Sequence, residues 1–164
     1  MGKRNWNIRL RAIEFSDIEL LYNWENDKNN WLVSNTLTPF SCDIIERYIE
    51  NSYQHINQAK QVRMMIDASF EGHAFRSVCA IDLFDFDPHH QRAGIGILIG
   101  EPANRRKGIA TAALKTLIDY AFNTLLLHQI YCNIMPDNEA SLNLFKHAGF
   151  CQTGQKVDWI RTSD

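Results

Sequence analysis

What this 164-residue chain lacks narrows its function first. No apolar run approaches the ~20 residues that a membrane-spanning helix needs, and the opening MGKRNWNIRL has no apolar core like that of a signal peptide. A cytoplasmic protein with no membrane partner is therefore expected. Cysteine is scarce: Cys42, Cys79, Cys132 and Cys151 stand far apart with no C-x-x-C pair, which favours free thiols over disulfides or a zinc site. Neither sign of charge is in large excess. A formal net charge of -2 exerts no general pull on nucleic acid, so no nucleic-acid partner is expected. The sequence also has no repeats, linkers or low-complexity stretches, and its length suits one domain over residues 1–164.

The patterns that are present read as a mixed α/β chain. NIRLRAI sets Ile8, Leu10 and Ala12 against Arg9 and Arg11, the two-residue period of a half-buried strand. Ser16 and Glu19 form an S-x-x-E capping box with Phe15 and Leu20 at the staple positions, which predicts a helix running to about Trp24. The stretch ENDKNNWLVSNTLTPF reads as an irregular loop because of its Asn and Asp content. A second helix fits residues 42–53 after Ser41. VRMMID, SVCAIDLFDF and AGIGILIG read as three strands of a meander. A helix from Ile109 carries Leu114, Leu117, Ile118, Ala121 and Leu125 on one stripe, and HQIYCNIM is a short strand after it. Asp137 or Asn138 caps a further helix that ends at Gly149, and QKVDWIRTSD is long enough for one last strand.

The most informative stretch is NRRKGIATAAL. Three cations directly before a helix oppose the helix dipole, a few tenths of a kcal/mol per charge by rough count, unless an anion sits there. A G-x-G-x-x-G reading of GIGILIG fails because the third glycine is missing and the run lies in a strand pattern. A phosphate-binding P-loop fails because Lys107 precedes Gly108. What remains is a turn and a helix N-terminus whose backbone N–H groups suit a pyrophosphate, with a solvated basic turn as the alternative from the local sequence alone. His89 and His90 near Asp87 lack further ligands at a convincing spacing, so no metal is expected.

Arg105-Arg106-Lys107-Gly108-Ile109-Ala110 matches [RQ]-x-x-G-x-[GA], and the chain resembles the Gcn5-related N-acetyltransferases (GNAT). DPHHQRAGIGILI resembles the hairpin and fourth strand of that family, and MPDNEASLNLFKHAGF its fifth-strand exit and fourth helix. The opening IRLRAIEFSDIELLYNWEND is similar to the branch of spermidine and ribosomal-protein N-terminal acetyltransferases. The resemblance implies a GNAT fold: a mixed, mostly antiparallel sheet with splayed fourth and fifth strands, flanked by about four helices. It implies acetyl-CoA as co-substrate, with its pantetheine arm along Ile97, Leu98 and Ile99. The pyrophosphate would lie on the amides of Arg105, Arg106, Lys107, Gly108, Ile109 and Ala110, with Asn138 on the CoA arm. Gly94 and Gly96 then mark a candidate bulge at the splay.

The implied reaction moves an acetyl group from a thioester to a primary amine, either of a small polyamine or of a protein N-terminus. An alkylammonium of pKa near ~10.4 must first lose a proton, so carboxylates are needed nearby. Glu25 and Asp82 are the candidates for catalysis, with Asp85 a third, while a solvated helix end and an edge-facing acid are their plain alternatives. Asp27, Asp43, Glu46 and Glu50 are further acids suited to a cationic acceptor. Trp24, Trp31, Tyr22 and Phe84 are candidate walls for the acceptor. Two departures from the family stand out: Phe145 replaces the usual tyrosine acid, and Gly94 replaces a common glutamate. They keep open the alternative of a non-catalytic acyl-CoA-binding module. The resembling enzymes also end in two strands, for which CQTGQKVDWIRTSD is too short. Lys156 to Arg161 is therefore expected to pair with the fifth strand or with a partner molecule, giving a homo-oligomer.

Overall fold

The computed structural model describes residues 6–34 and 36–160. Five strands form one sheet in the order β1-β2-β3-β4-β5: β1 (Trp6–Ala12), β2 (Val62–Phe70), β3 (Arg76–Asp87), β4 (Arg92–Ile99) and β5 (Gln129–Tyr131). The first four are antiparallel neighbours, and β5 joins β4 in parallel. This is the expected mixed α/β sheet. Among the described residues six helices accompany it: α1 (Ile18–Asn26), α2 (Lys28–Ser34), α3 (Cys42–Asn51), α4 (Ile56–Ala59), α5 (Ile109–Asp119) and α6 (Glu139–His147). The chain divides into two compact units, Met1–Asn133 and Ile134–Asp164.

In the first unit, Leu21 and Trp24 of α1 and Ile45 and Ile49 of α3 meet Met65, Ala80 and Leu98 of the sheet in one buried cluster. The long helix α5 packs against β1, β3 and β4 through a different stripe, in which Ile109, Ala113, Leu114 and Leu117 are all fully buried. Its last turn widens into a π-helical segment over Tyr120–Thr124.

Several expectations are corrected. The supposed loop after α1 contains α2, because the Asp27 side chain accepts the Asn29 backbone N–H at 2.9 Å and its carbonyl accepts that of Asn30 at 2.8 Å. The Asn- and Asp-rich composition there marks a helix start. The Ser16–Glu19 capping box is not what opens α1. A single 3₁₀ turn, Phe15–Asp17, precedes the helix, and the Asp17 carboxylate accepts the Glu14 N–H at 2.9 Å while it pairs with Arg11 at 2.7 Å. The ion pair with Arg11, six residues earlier on β1, thus holds Asp17, and Phe15 remains exposed.

The expected final strand is not formed over 155–160. Asp158 has φ 51°, which breaks an extended run, and the Lys156 ammonium lies 4.7 Å over the Trp159 ring in a local turn. Arg161, the end of the segment expected to pair, lies outside the described residues. Within the second unit, the reading of α6 holds. The Asn138 side chain accepts the Ser141 N–H at 3.1 Å, and Gly149 at φ 96° ends the helix, with the Phe150 N–H returning to the Phe145 carbonyl.

Candidate active site

The site begins with the divergence of β4 and β5. Their pairing is limited to Arg92–Gly94 with Gln129–Tyr131, whereas β4 stays paired with β3 as far as Ile99. The Gly100 N–H donates to Val78 of β3 at 3.2 Å, which sets the alternation along the strand. Leu98 and Gly96 turn their backbone groups toward β3, and Ile95, Ile97 and Ile99 turn theirs toward the gap. An extended, amide-bearing chain fits that edge as an added strand.

The bulge lies on β3, not at Gly94 or Gly96 on β4. Register shifts between Phe84 and Asp87, with Asp85 at φ 50°. Phe84 folds over Gly94, where an added Cβ would lie 2.2 Å from the ring, so no larger residue fits without moving the aromatic. The glutamate that the resemblance leads one to seek at this position would require the Phe84 ring to move. Phe84 also meets Tyr131 edge-on at 6.2 Å, and the Tyr131 hydroxyl donates to Asp85 at 3.3 Å. Partial burial, with the Asp85 charge beside it, raises the Tyr131 phenol above its ordinary range.

Beyond β4, a 3₁₀ turn at Pro102–Asn104 leads to the basic turn and α5. Arg106 at φ 59° and Gly108 at φ 84° both adopt the left-handed conformation, which for Gly108 is free of Cβ strain. The first amides of α5 follow, with no side-chain cap on them. Two contacts hold the turn. The Trp6 indole donates to the Lys107 carbonyl at 2.8 Å, and Arg105 donates to the Asn30 side chain at 2.9 Å. Arg106 and Lys107 are exposed, and Ile109 is a core residue whose amide alone is available to a ligand. The arrangement fits a pyrophosphate.

A cavity of about 510 Å³ lies beside β4 in the first unit, lined in part by Gly96, Ile97 and Leu98. Glu25 and Asp82 both line it, brought together by a residue that the sequence reading missed. Arg63 on β2 donates Nε to Asp82 Oδ1 at 2.6 Å and Nη2 to Asp82 Oδ2 at 3.0 Å, and its Nη1 pairs with Glu25 Oε1. Burial works against the Arg63 charge, but Asp82 and Glu25 more than offset it, and the guanidinium is held above its ordinary value. Tyr48 of α3 faces it with its ring 5.7 Å away, and burial raises that phenol. The signal in the sequence was a lone arginine within the apolar VRMMID.

The remaining candidates are placed elsewhere. Asp27 caps α2, and Asp43, Glu46 and Glu50 lie on exposed positions of α3 outside the cavity lining. Trp24 is core, Trp31 donates its indole to the Glu25 carbonyl at 2.9 Å, and only Phe84 of the four aromatic candidates lines the cavity. Asp87 accepts the His90 and His89 backbone N–H groups at 3.0 Å each, which lowers its carboxyl and closes the turn. Among the described residues no group of three metal-ligating side chains occurs, and no helix is long and apolar enough to cross a membrane. In the second unit Asn138 is a helix cap, and Phe145 is buried edge-on against Phe150 at 5.0 Å. Phe145→Tyr is accordingly expected to change the maximal acetyl-transfer rate by less than about tenfold and to leave the alkaline limb unaltered. If instead Tyr131→Phe abolished turnover with acetyl-CoA affinity intact, proton donation to the departing thiolate would belong to Tyr131.

Comparison with known proteins identifies the family and the fold. A spermidine N(1)-acetyltransferase of Vibrio cholerae is 25% identical over 158 residues, covering 94% of this chain and 84% of that protein. The fold matches the crystal structure of spermidine N-acetyltransferase from Vibrio cholerae in complex with CoA and spermine. Its TM-score is 0.79 at 24% identity, over 90% of this chain and 82% of that one. A dodecameric structure of spermidine N-acetyltransferase from Vibrio cholerae matches with a TM-score of 0.72 at 23% identity, over 95% and 86% of the two chains. The model of the acetyltransferase (GNAT) domain matches residues 7–151. Sequence and fold thus agree that the chain belongs to the GNAT family of N-acetyltransferases, with acetyl-CoA as its acetyl donor.

Proposed function

We propose that this chain acetylates a cationic primary amine, of a polyamine or of a protein N-terminus, by direct attack within a ternary complex. The observation that carries the reading is one cavity in which Glu25 and Asp82 meet the Gly96–Leu98 stretch of β4. Acetyl-CoA supplies the thioester carbonyl. Ile97 and Ile99 offer backbone groups for its extended arm, and the amides of residues 106–110 hold its pyrophosphate, the expected Arg105 amide being already donated to the Pro102 carbonyl at 3.0 Å. A backbone N–H at the open edge is suited to stabilise the oxyanion that develops during attack. Glu25 and Asp82 attract the ammonium, and proton removal from it falls to one of them or to a water held there.

Direct attack is supported by the cysteines. Cys79 is buried in the core with its thiol pushed up by desolvation, and burial pushes Cys132 up to about 11. Neither lines the cavity as an activated thiolate that could carry the acetyl group. The dodecameric relative supports a further proposal, that this chain self-associates.

The testing experiment is a steady-state assay with acetyl-CoA and a panel of amines, reading the free thiol of CoA. Acetyl-CoA binding without turnover of any amine would favour the non-catalytic module. The cofactor half has its own test in Gly108→Asp, which is expected to lower acetyl-CoA affinity tenfold or more, about 1.4 kcal/mol. An added Cβ meets nothing within 4 Å there, so the loss comes from strain at φ 84° and from negative charge. Gly108→Ala carries only the strain and separates the two. Unchanged calorimetric affinity in a folded Gly108→Asp protein would remove the pyrophosphate from this turn.

A further inference from the structure

The cavity beside β4 holds little charge for its size. Leu21, Phe40, Ile44, Ile45, Leu83 and Ile95 form much of its wall, and among the described residues the formal charges in its lining are those of Glu25, Asp82 and Arg63. Because Arg63 engages both carboxylates, the three groups together carry one negative charge. Tyr48 adds none, since burial favours its neutral phenol. The exposed acids of α3 and the cap Asp27 lie outside the lining, and the stretch from Lys28 to Ser41 contains no acidic residue.

We infer that the acceptor is a primary amine with a single positive charge on an apolar body, and not an extended polycation. This rests on the acetyl-transfer reading above and narrows its acceptor. One ammonium matches the one net negative charge at Glu25, Asp82 and Arg63, and the aliphatic wall takes the apolar body. A second or third ammonium along a polyamine would leave water for Leu, Ile and Phe side chains and the neutral Thr36, Tyr48, Gln61 and Asn133, with no further carboxylate among the described lining residues, and a charge without a counter-charge in such surroundings is disfavoured. The volume, about 510 Å³, suits a small molecule or a single terminal residue. Two sources share this chemistry: a free alkyl- or arylalkylamine, and the N-terminal residue of a peptide with an apolar side chain.

The test compares kcat/KM of the full chain, with acetyl-CoA, for hexylamine, phenethylamine, a leucyl dipeptide amide and spermidine. The best monocation is expected to exceed spermidine by at least tenfold, and the amine and peptide arms then distinguish the two sources. A spermidine value within tenfold of the best monocation, or above it, overturns the inference while acetyl transfer stands. No turnover of any amine overturns the acetyl-transfer reading itself. Arg63→Gln supplies an independent readout, because it leaves two negative charges in the lining. The ratio of spermidine to monocation turnover is expected to rise at least tenfold in that variant. An unchanged ratio in a folded Arg63→Gln protein would also overturn the inference.

Discussion

Glu25→Gln is expected to lower kcat about 100-fold at neutral pH, the scale of a lost general base. The two cavity carboxylates are not equivalent. Asp82 receives Arg63 with both oxygens, at 2.6 and 3.0 Å, whereas Glu25 is engaged through Oε1. The second oxygen of Glu25 is the better placed to take a proton from an arriving ammonium or from a water between them. Asp82→Asn should therefore loosen Arg63 and raise KM for the amine more than it lowers kcat. The pH dependence separates a base from a merely structural residue. An amine of pKa near ~10.4 deprotonates itself as pH rises, so the rate deficit of Glu25→Gln should shrink toward pH 10 if the lost function is proton removal. A deficit that stays constant with pH would assign Glu25 to positioning Arg63. A folded Glu25→Gln protein with wild-type kcat would move proton removal off this residue.

The two halves of the site differed in how far they could be read from the sequence. The cofactor half is local: the open strand, the basic turn, Gly108 and the α5 stripe follow one another within residues 92–121, and each has a short-range signature in spacing or backbone conformation. The acceptor half is not. Glu25, Arg63 and Asp82 come from α1, β2 and β3, and an arginine inside VRMMID looks the same whether it faces solvent or two carboxylates. The opening of α1 likewise does not follow from Ser16 and Glu19 alone: Arg11 on β1 holds Asp17 in the 3₁₀ turn before the helix, where its carboxylate accepts the Glu14 N–H and makes no side-chain cap to α1. The bulge at Asp85 has no local marker, because a non-glycine residue at φ 50° is held by its surroundings. By sequence Gly94 stands as a lost catalytic position, and the cross-strand packing of Phe84 shows the close approach of the ring that favours a glycine there.

The second large effect is on stability. Asp67 on β2 is buried, and its carboxylate accepts Arg9 Nη2 at 2.6 Å, Arg11 Nε at 3.0 Å and the Ser77 hydroxyl at 2.8 Å. Arg11 continues the network to Asp17, so one carboxylate ties β1, β2, β3 and the entry to α1. Removing the Asp67 charge takes away a buried acceptor shared by Arg9 and Arg11, although Arg11 keeps Asp17 and Arg9 is half exposed to water. Asp67→Asn is therefore expected to lower unfolding free energy by about 2 kcal/mol at pH 7. Burial alone would raise the Asp67 carboxyl, but the hydrogen bonds from Arg9, Ser77 and Arg11 and the Arg11 charge outweigh it, and its value in the folded protein is lowered. In the unfolded chain the group returns to about 3.9. The unfolded state then binds the proton first as pH falls, so the charge contribution of Asp67 is present above about pH 4 and is lost as pH drops through the lower folded value. Urea unfolding of both proteins between pH 7 and pH 2 checks this: the difference between wild type and Asp67→Asn should be full at pH 7 and contract below about pH 4. A difference that persists unchanged to pH 2 would show that Asp67 stabilises the sheet through shape and neutral hydrogen bonding, with its charge contributing nothing.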